Sequence, residues 1–193
     1  MSTSSMVFGV YAPRTSASGS VRLQAQMQTW LPVLACAAVF AVESTPYLGA
    51  DRTSAPLQRV AEALFGCDAC VHWDLIHHII RKTGHFMGYG IFSLVCFRSF
   101  WITLQDAASR LLRQMKAHGL AILATFLVAS ADEFHQSFLP NRTGQFSDVL
   151  LDTCGALTLG LLLFLAMRAA QRRRQARARV SCLLEAACAD LAA

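Results

Sequence analysis

Ionisable side chains are concentrated between residues 130 and 155, a stretch that lies between two long apolar runs. Charged groups at membrane depth are energetically expensive, so those found there usually serve a function. Carboxylates and histidines can exchange protons, and the planar fork of arginine suits a carboxylate or a phosphate. The stretch contains six candidate site residues: Asp132, Glu133, Gln136, Arg142, Asp148 and Asp152.

A second group of polar residues precedes this stretch. Lys82, His85 and Tyr89 are spaced so that they share one face of a helix. Glu43 lies at the end of an earlier apolar run. Lysine and tyrosine at a membrane edge are often interface anchors, but His85 lies between Gly84 and Phe86 and is predicted to point further inward.

Spacing also relates the acids to one another. Asp132 and Gln136 share a helix face, whereas Glu133 and His135 are predicted to point elsewhere. Asp148 suits the first turn of a helix, where a negative charge is favourable. Asp152 lies one turn deeper, where an unpaired carboxylate costs about 3 kcal/mol. We therefore expect Asp152 to have a cationic partner, and the candidates are His85, Lys82 and Arg142.

Four apolar segments must position these residues. The chain has 193 residues, of which 54% are hydrophobic and only 15% charged. Each segment has about 20 residues, enough to span a hydrocarbon core of about 30 Å as a helix. We predict an all-α integral membrane bundle of four transmembrane helices, occupying residues 29–168, with a flexible segment 1–28 and a basic tail 169–193. The segments are 27–48, 84–104, 117–136 and 146–167.

Lysines and arginines predict the orientation. Eleven fall on the side that holds both termini and five on the other, with Arg98 inside the second segment left out, so both termini are expected in the cytoplasm. The loops 49–83 and 137–145 are then outside, and all four spans bring polar residues to the same outer level. Within the first loop, residues 56–66 form either a helix on the membrane surface or a helix packed on the bundle.

Other sequence features exclude several classes of protein. Six arginines follow the last apolar segment directly, which favours contact with anionic lipid over nucleic acid. Cys67 and Cys70 form a single CxxC, a weak signal for a redox or zinc motif. No P-loop, HExxH or GxSxG motif is present. We predict no cofactor and no dedicated metal site, and the sequence leaves open whether the protein is an enzyme.

Two blocks of sequence resemble the VanZ-like family of small bacterial membrane proteins, named for a member linked to teicoplanin resistance. They are RKTGHFMGYGIFSL and SADEFHQSFLPNRTGQFSDVLLDTCGALTLG. Asn141 stands where the family commonly has glycine. The residues that match the family pattern in order are Lys82, His85, Phe86, Tyr89, Asp132, Glu133, Gln136, Pro140, Arg142, Asp148, Asp152 and Gly155.

The resemblance implies a multi-pass protein of the bacterial inner membrane and leaves three hypotheses for its function. The first is binding of an anionic lipid or cell-wall precursor headgroup at the outer leaflet, with an effect on glycopeptide-type antibiotics. The second is a membrane-embedded enzyme acting on a lipid-linked substrate, with His85 and Asp132 or Glu133 as a general base. In its metal version, a divalent ion that activates water is held by His85, Glu133, Asp148 and His135. The third is a polar cluster that only fixes helix packing.

Overall fold

The computed structural model describes residues 19–66, 71–105, 109–140, 142 and 144–191. The described part of the chain is helical and contains no strand, which confirms the all-α prediction. The predicted CxxC, Asn141 and residues 1–18 lie outside the described residues. The helices are α1 (Gly19–Glu43), a short 3₁₀ turn (Pro46–Leu48), α2 (Ala50–Phe65), α3 (Trp73–Thr103), α4 (Arg110–Gln136) and α5 (Phe146–Leu191).

Three of these helices, α3, α4 and α5, are long and apolar enough to cross a membrane by themselves. The first predicted span is long and apolar enough to cross a membrane only when α1 and α2 are taken together as one span bent by 73°. The start of α1 contains Gln24, Gln26 and Gln28, which dilute its apolar character. The structure therefore supports three to four membrane spans, in agreement with the predicted bundle.

Polar and apolar residues are distributed as expected for a bundle surrounded by lipid. Leu127 and Leu161 are 57% and 58% exposed on the outer surface, and many other large apolar side chains share this position. Thr125, Gln114 and Asp152 are instead fully buried between the helices. A water-soluble protein would not expose so many large apolar side chains while burying its polar groups, because that arrangement forfeits the hydrophobic effect.

Helices α3 and α5 approach each other closely at two glycines. A Cβ atom added to Gly155 would lie 2.0 Å from the carbonyl oxygen of Phe86, and one added to Gly90 would lie 3.1 Å from the carbonyl of Gly155. Ala156 next to them is completely buried. The small residues Gly155 and Ala156 therefore make the close contact, whereas Gly160 has room for a side chain, with His118 at 3.7 Å.

Several element boundaries differ from the prediction. Helix α1 begins at Gly19, so residues 19–28 of the predicted flexible segment are helical. Much of the predicted loop 49–83 is also helical, because α2 continues to Phe65, directly before Gly66 with its φ of +84°, and α3 begins at Trp73. Helix α5 continues through the basic segment without a break, since that segment is rich in arginine and alanine, which favour helix.

Candidate functional site

The predicted polar residues lie at one end of the bundle, which we call the polar end. It is formed by the last residues of α1 and α4, the first half of α3 and the first turns of α5. Chain direction alternates along the bundle, so these ends necessarily meet at one level. The loop between α4 and α5 is tight here. A Cβ atom added to Gly144 would lie only 2.1 Å from the carbonyl oxygen of Glu133.

Lys82 of α3 and Asp148 of α5 form an ion pair across the helix interface. Both side chains are partly buried, and Asp148 also lies in the first turn of α5. The favourable position in the helix dipole and the lysine partner both stabilise the carboxylate. The sequence had explained Asp148 by its helix position alone, and the structure adds Lys82 as its partner.

Tyr89 and Asp132 join α3 to α4. The Tyr89 hydroxyl donates to Asp132 Oδ2 at 3.0 Å, and Gln136 Nε2 donates to the same oxygen at 3.1 Å. The second contact is the one expected from the spacing of Asp132 and Gln136. Phe40 of α1 stacks on the Tyr89 ring with 4.3 Å between centroids. These contacts fix Tyr89, which is only 1% exposed, inside the bundle.

Arg142 ties the end of α1 to the end of α4. Its Nη2 atom donates to the carbonyl oxygens of Glu43 at 2.9 Å and Thr45 at 3.0 Å, and Nη1 donates to Gln136 Oε1 at 3.2 Å. Glu43 thus contributes its backbone carbonyl to the cluster, while its side chain is exposed. Much of the donor capacity of Arg142 is therefore used within the protein, which favours a positioning role.

His85, Glu133 and Asp152 meet where α3, α4 and α5 converge. One nitrogen or oxygen ligand atom from each residue lies within 4.8 Å of the other two. His85 Nδ1 is 3.6 Å from Asp152 Oδ1, which makes His85 the partner expected for Asp152. Glu133 Oε2 accepts from the backbone N–H of Gln145 at 2.8 Å. Glu133, which helical spacing places off the face shared by Asp132 and Gln136, thus faces the tight loop before α5.

Two cavities adjoin the polar end, and Arg81, His85 and Arg142 border both of them. The first has a volume of about 350 Å³ and is lined by polar and charged side chains. The second has a volume of about 420 Å³ and also touches Val39, Phe40 and Leu48. The remaining residues of the first cavity are Asp74, His77, His78, Lys82, Gln136, Gln145 and Asp148.

The ten predicted site residues all lie at the polar end, although Glu43 contributes only through its backbone and the border of the second cavity. Four further residues of the first cavity were not predicted as site residues from the sequence: Asp74, His77, His78 and Arg81. Their spacing continues the helical face of Lys82 and His85 back by two turns, so that periodicity could have revealed them. His135, near the end of α4, is not part of this group. Its Nδ1 atom lies 3.0 Å from the hydroxyl of Ser44.

The fold and the site define a multi-pass helical membrane protein with a buried polar cluster at one end of its bundle. Residues 55–168 match the VanZ/LLP1 family, which covers more than half of the chain. The chain therefore belongs to the VanZ/LLP1 family, as the two sequence blocks had indicated. No curated protein and no solved structure is significantly similar to it.

Proposed function

We propose that this protein binds the anionic, phosphate-bearing headgroup of a lipid or of a lipid-linked cell-wall precursor at the polar end. The observation that supports this most strongly is the pair of adjoining cavities, of which one is polar and the other partly apolar. A ligand with a charged head and a hydrocarbon tail matches such a pair. Each cavity has a volume within the range of about 300–1,000 Å³ that small-molecule sites occupy.

The charge of the polar cavity favours an anion. Its lining contains three lysine and arginine side chains and three histidines but only two carboxylates, those of Asp74 and Asp148. A phosphate can accept hydrogen bonds from arginine, lysine and histidine at once, and such charge-assisted bonds are among the strongest in proteins. The partly apolar cavity lies beside α1, where Val39 and Phe40 can contact the first carbons of the tail.

The roles of the two arginines differ. Arg142 donates to backbone carbonyls and to Gln136, so it shapes the wall between the cavities. Arg81 borders both cavities and lies one turn before His85 on the same helix. We assign the principal contact with the phosphate to Arg81, with Lys82 beside it.

The proposal extends to the cellular setting. The protein is assigned to a bacterial inner membrane, with both termini on the cytoplasmic side. The polar end then lies at the outer leaflet. Antibiotics of the glycopeptide class act on lipid-linked precursors outside the cell, so occupancy of the site would change susceptibility to them. Expression of wild type and of Arg81→Gln in a susceptible host, followed by teicoplanin susceptibility assays, tests this extension.

Binding is tested with delipidated protein in a neutral detergent. Short-chain phosphatidylglycerol, titrated and followed by thermophoresis, should bind at least about tenfold more tightly than phosphatidylcholine. Arg81→Gln should lose that preference, since a hydrogen bond to a charged group contributes about 1.5–3 kcal/mol. Arg98→Gln is the matched control, because Arg98 is exposed near the other end of the same helix. Equal binding of both lipids by the wild type contradicts the proposal.

A second candidate is a membrane-embedded enzyme acting on a lipid-linked substrate. His85 favours it, because this histidine borders both cavities and has the buried Asp152 behind it. A histidine oriented by a carboxylate can act as a general base. Catalysis requires turnover of a lipid-linked phosphate that His85→Gln abolishes while lipid binding persists. Binding without turnover in the wild type excludes this candidate for the substrate used.

A further inference from the structure

We propose that His85, Glu133 and Asp152 bind a divalent metal ion at the polar end. The three residues come from three different helices, yet one ligand atom from each lies within 4.8 Å of the other two. Glu133 and Asp152 are 5% and 0% exposed, so the group is enclosed by the bundle. Imidazole and carboxylate side chains are common ligands of divalent metal ions.

Asp152 supplies the strongest indication that a ligand belongs here. Both of its carboxylate oxygens are buried, and neither accepts a hydrogen bond from the described part of the chain. A buried carboxylate without donors is costly in a membrane interior. Its nearest cationic candidate, His85 Nδ1, is 3.6 Å away, which is too far for a hydrogen bond. Two ligands of a tetrahedral ion with bonds of about 2.1 Å lie about 3.4 Å apart, close to this distance.

The neighbouring carboxylates of Asp148 and Asp132 already have partners within the protein, and in this they differ from the carboxylate of Asp152. Asp148 has Lys82, and Asp132 accepts from both Tyr89 and Gln136. In the trio, one oxygen of Glu133 accepts from the backbone of Gln145, which leaves its other oxygen available. A hydrogen bond of this kind typically orients a metal-binding carboxylate. A divalent cation would balance both acidic side chains of the trio, whereas the single imidazole of His85 can carry at most one positive charge.

The ligand set indicates the class of ion. One imidazole and two carboxylates suit a first-row divalent ion such as Mn²⁺ or Zn²⁺, whereas a soft ion would require thiolates. Three protein ligands also leave a coordination position for water or another ligand. His85 borders both cavities, so an ion at this site would lie beside the proposed headgroup site and attract a phosphate. The ion site stands on its own geometry and does not require the headgroup proposal.

Metal binding is tested on the full chain, purified through a tag without histidines and stripped with a chelator. Mn²⁺ titration followed by electron paramagnetic resonance should show one saturable site per chain in the wild type. Asp152→Asn and His85→Gln should each weaken it by at least about 100-fold, because even an outer-shell change costs about 10–100-fold. Asp74→Asn is the matched control, since Asp74 lines the polar cavity but is not one of the three ligands.

Each outcome decides the proposal. Saturable Mn²⁺ binding that Asp74→Asn retains and His85→Gln loses supports it, even where Asp152→Asn fails to accumulate. Absence of saturable binding of both Mn²⁺ and Zn²⁺ in the wild type overturns it, as does wild-type affinity in Asp152→Asn. A Cys67→Ser/Cys70→Ser double variant is used for Zn²⁺, so that the CxxC pair cannot supply the site. The titration contains no phospholipid, and loss of headgroup binding would therefore leave its result unchanged.

Discussion

Replacing Gly155 by alanine should disturb the contact on which the polar end depends. A Cβ atom at this position would lie 2.0 Å from the carbonyl oxygen of Phe86, whereas real Cβ atoms essentially never approach closer than 3.0 Å. The obstructing atom belongs to the backbone, so no side chain can rotate away. Helices α3 and α5 must therefore separate locally by about 1 Å. This separation moves His85 away from Asp152, since they lie on the two helices concerned.

The size of the effect follows from a matched control on the same helix. Gly160→Ala adds the same methyl group where the nearest atom, on His118, is 3.7 Å away, which is an ordinary contact. Both changes gain the same helix propensity of about 1 kcal/mol, so that gain cancels in the comparison. The remaining difference is overpacking, about 1–3 kcal/mol, which corresponds to a melting temperature about 2–12 °C lower for Gly155→Ala.

The assay is thermal unfolding of both variants in the same detergent, followed by circular dichroism. We expect Gly160→Ala to melt at or above the wild-type temperature and Gly155→Ala to melt below it. Mn²⁺ binding by Gly155→Ala should also weaken, because the ligands on α3 and α5 move apart. Equal melting temperatures for the two variants would refute the close approach of α3 and α5, and with it the geometry assigned to the site.

Three further predictions concern the polar end and the topology. Arg142→Lys should lower the free energy of unfolding by about 1.5–3 kcal/mol, because the single nitrogen of a lysine cannot replace both Nη2, which bonds the two carbonyls at the end of α1, and Nη1, which bonds Gln136. Lys82→Met and Asp148→Asn should each destabilise the protein, and a double-mutant cycle should give a coupling energy of about 0.5–3 kcal/mol. A green fluorescent protein fused after Ala193 should fluoresce, whereas alkaline phosphatase fused there should be inactive, because the lysine and arginine bias assigns this end to the cytoplasm.

Each of these predictions has its own control. Arg174→Lys, in the exposed part of α5, should leave the melting temperature unchanged, and an equal loss in both arginine variants would contradict the bridging role of Arg142. A coupling energy of zero between Lys82 and Asp148 would mean that their ion pair contributes nothing to stability. Active alkaline phosphatase after the last residue would reverse the proposed orientation.

Much of the fold could be predicted from the sequence because hydrophobic length and periodicity decide it. The third and fourth spans were placed to within a few residues at the polar end, where α4 ends at Gln136 and α5 begins at Phe146. The other ends were less predictable. Charged residues can continue a helix beyond the membrane, as they do at the start of α3 and along the basic part of α5. Hydrophobicity reports where a span lies, and not where its helix ends.

The candidate site was predictable where helical spacing alone determines contacts, as for Asp132 and Gln136. For contacts between helices, the sequence could name several candidate partners but could not choose among them. His85, for example, was one of three partners proposed for Asp152. Arg142 could not be assigned, because its partners are the backbone carbonyls of Glu43 and Thr45. Carbonyl positions depend on how α1 ends, and every residue type presents the same carbonyl group.

Native mass spectrometry of the protein as isolated, wild type beside Arg81→Gln, tests the binding role of the polar end most directly. Arg98→Gln serves as the control, as it does in the lipid titration. A phosphate-bearing lipid or precursor should remain on the wild type and on Arg98→Gln and should be largely lost from Arg81→Gln. Wild-type protein without any bound lipid, or identical lipid binding by all three proteins, would contradict the proposed headgroup site and favour a cluster that only fixes helix packing.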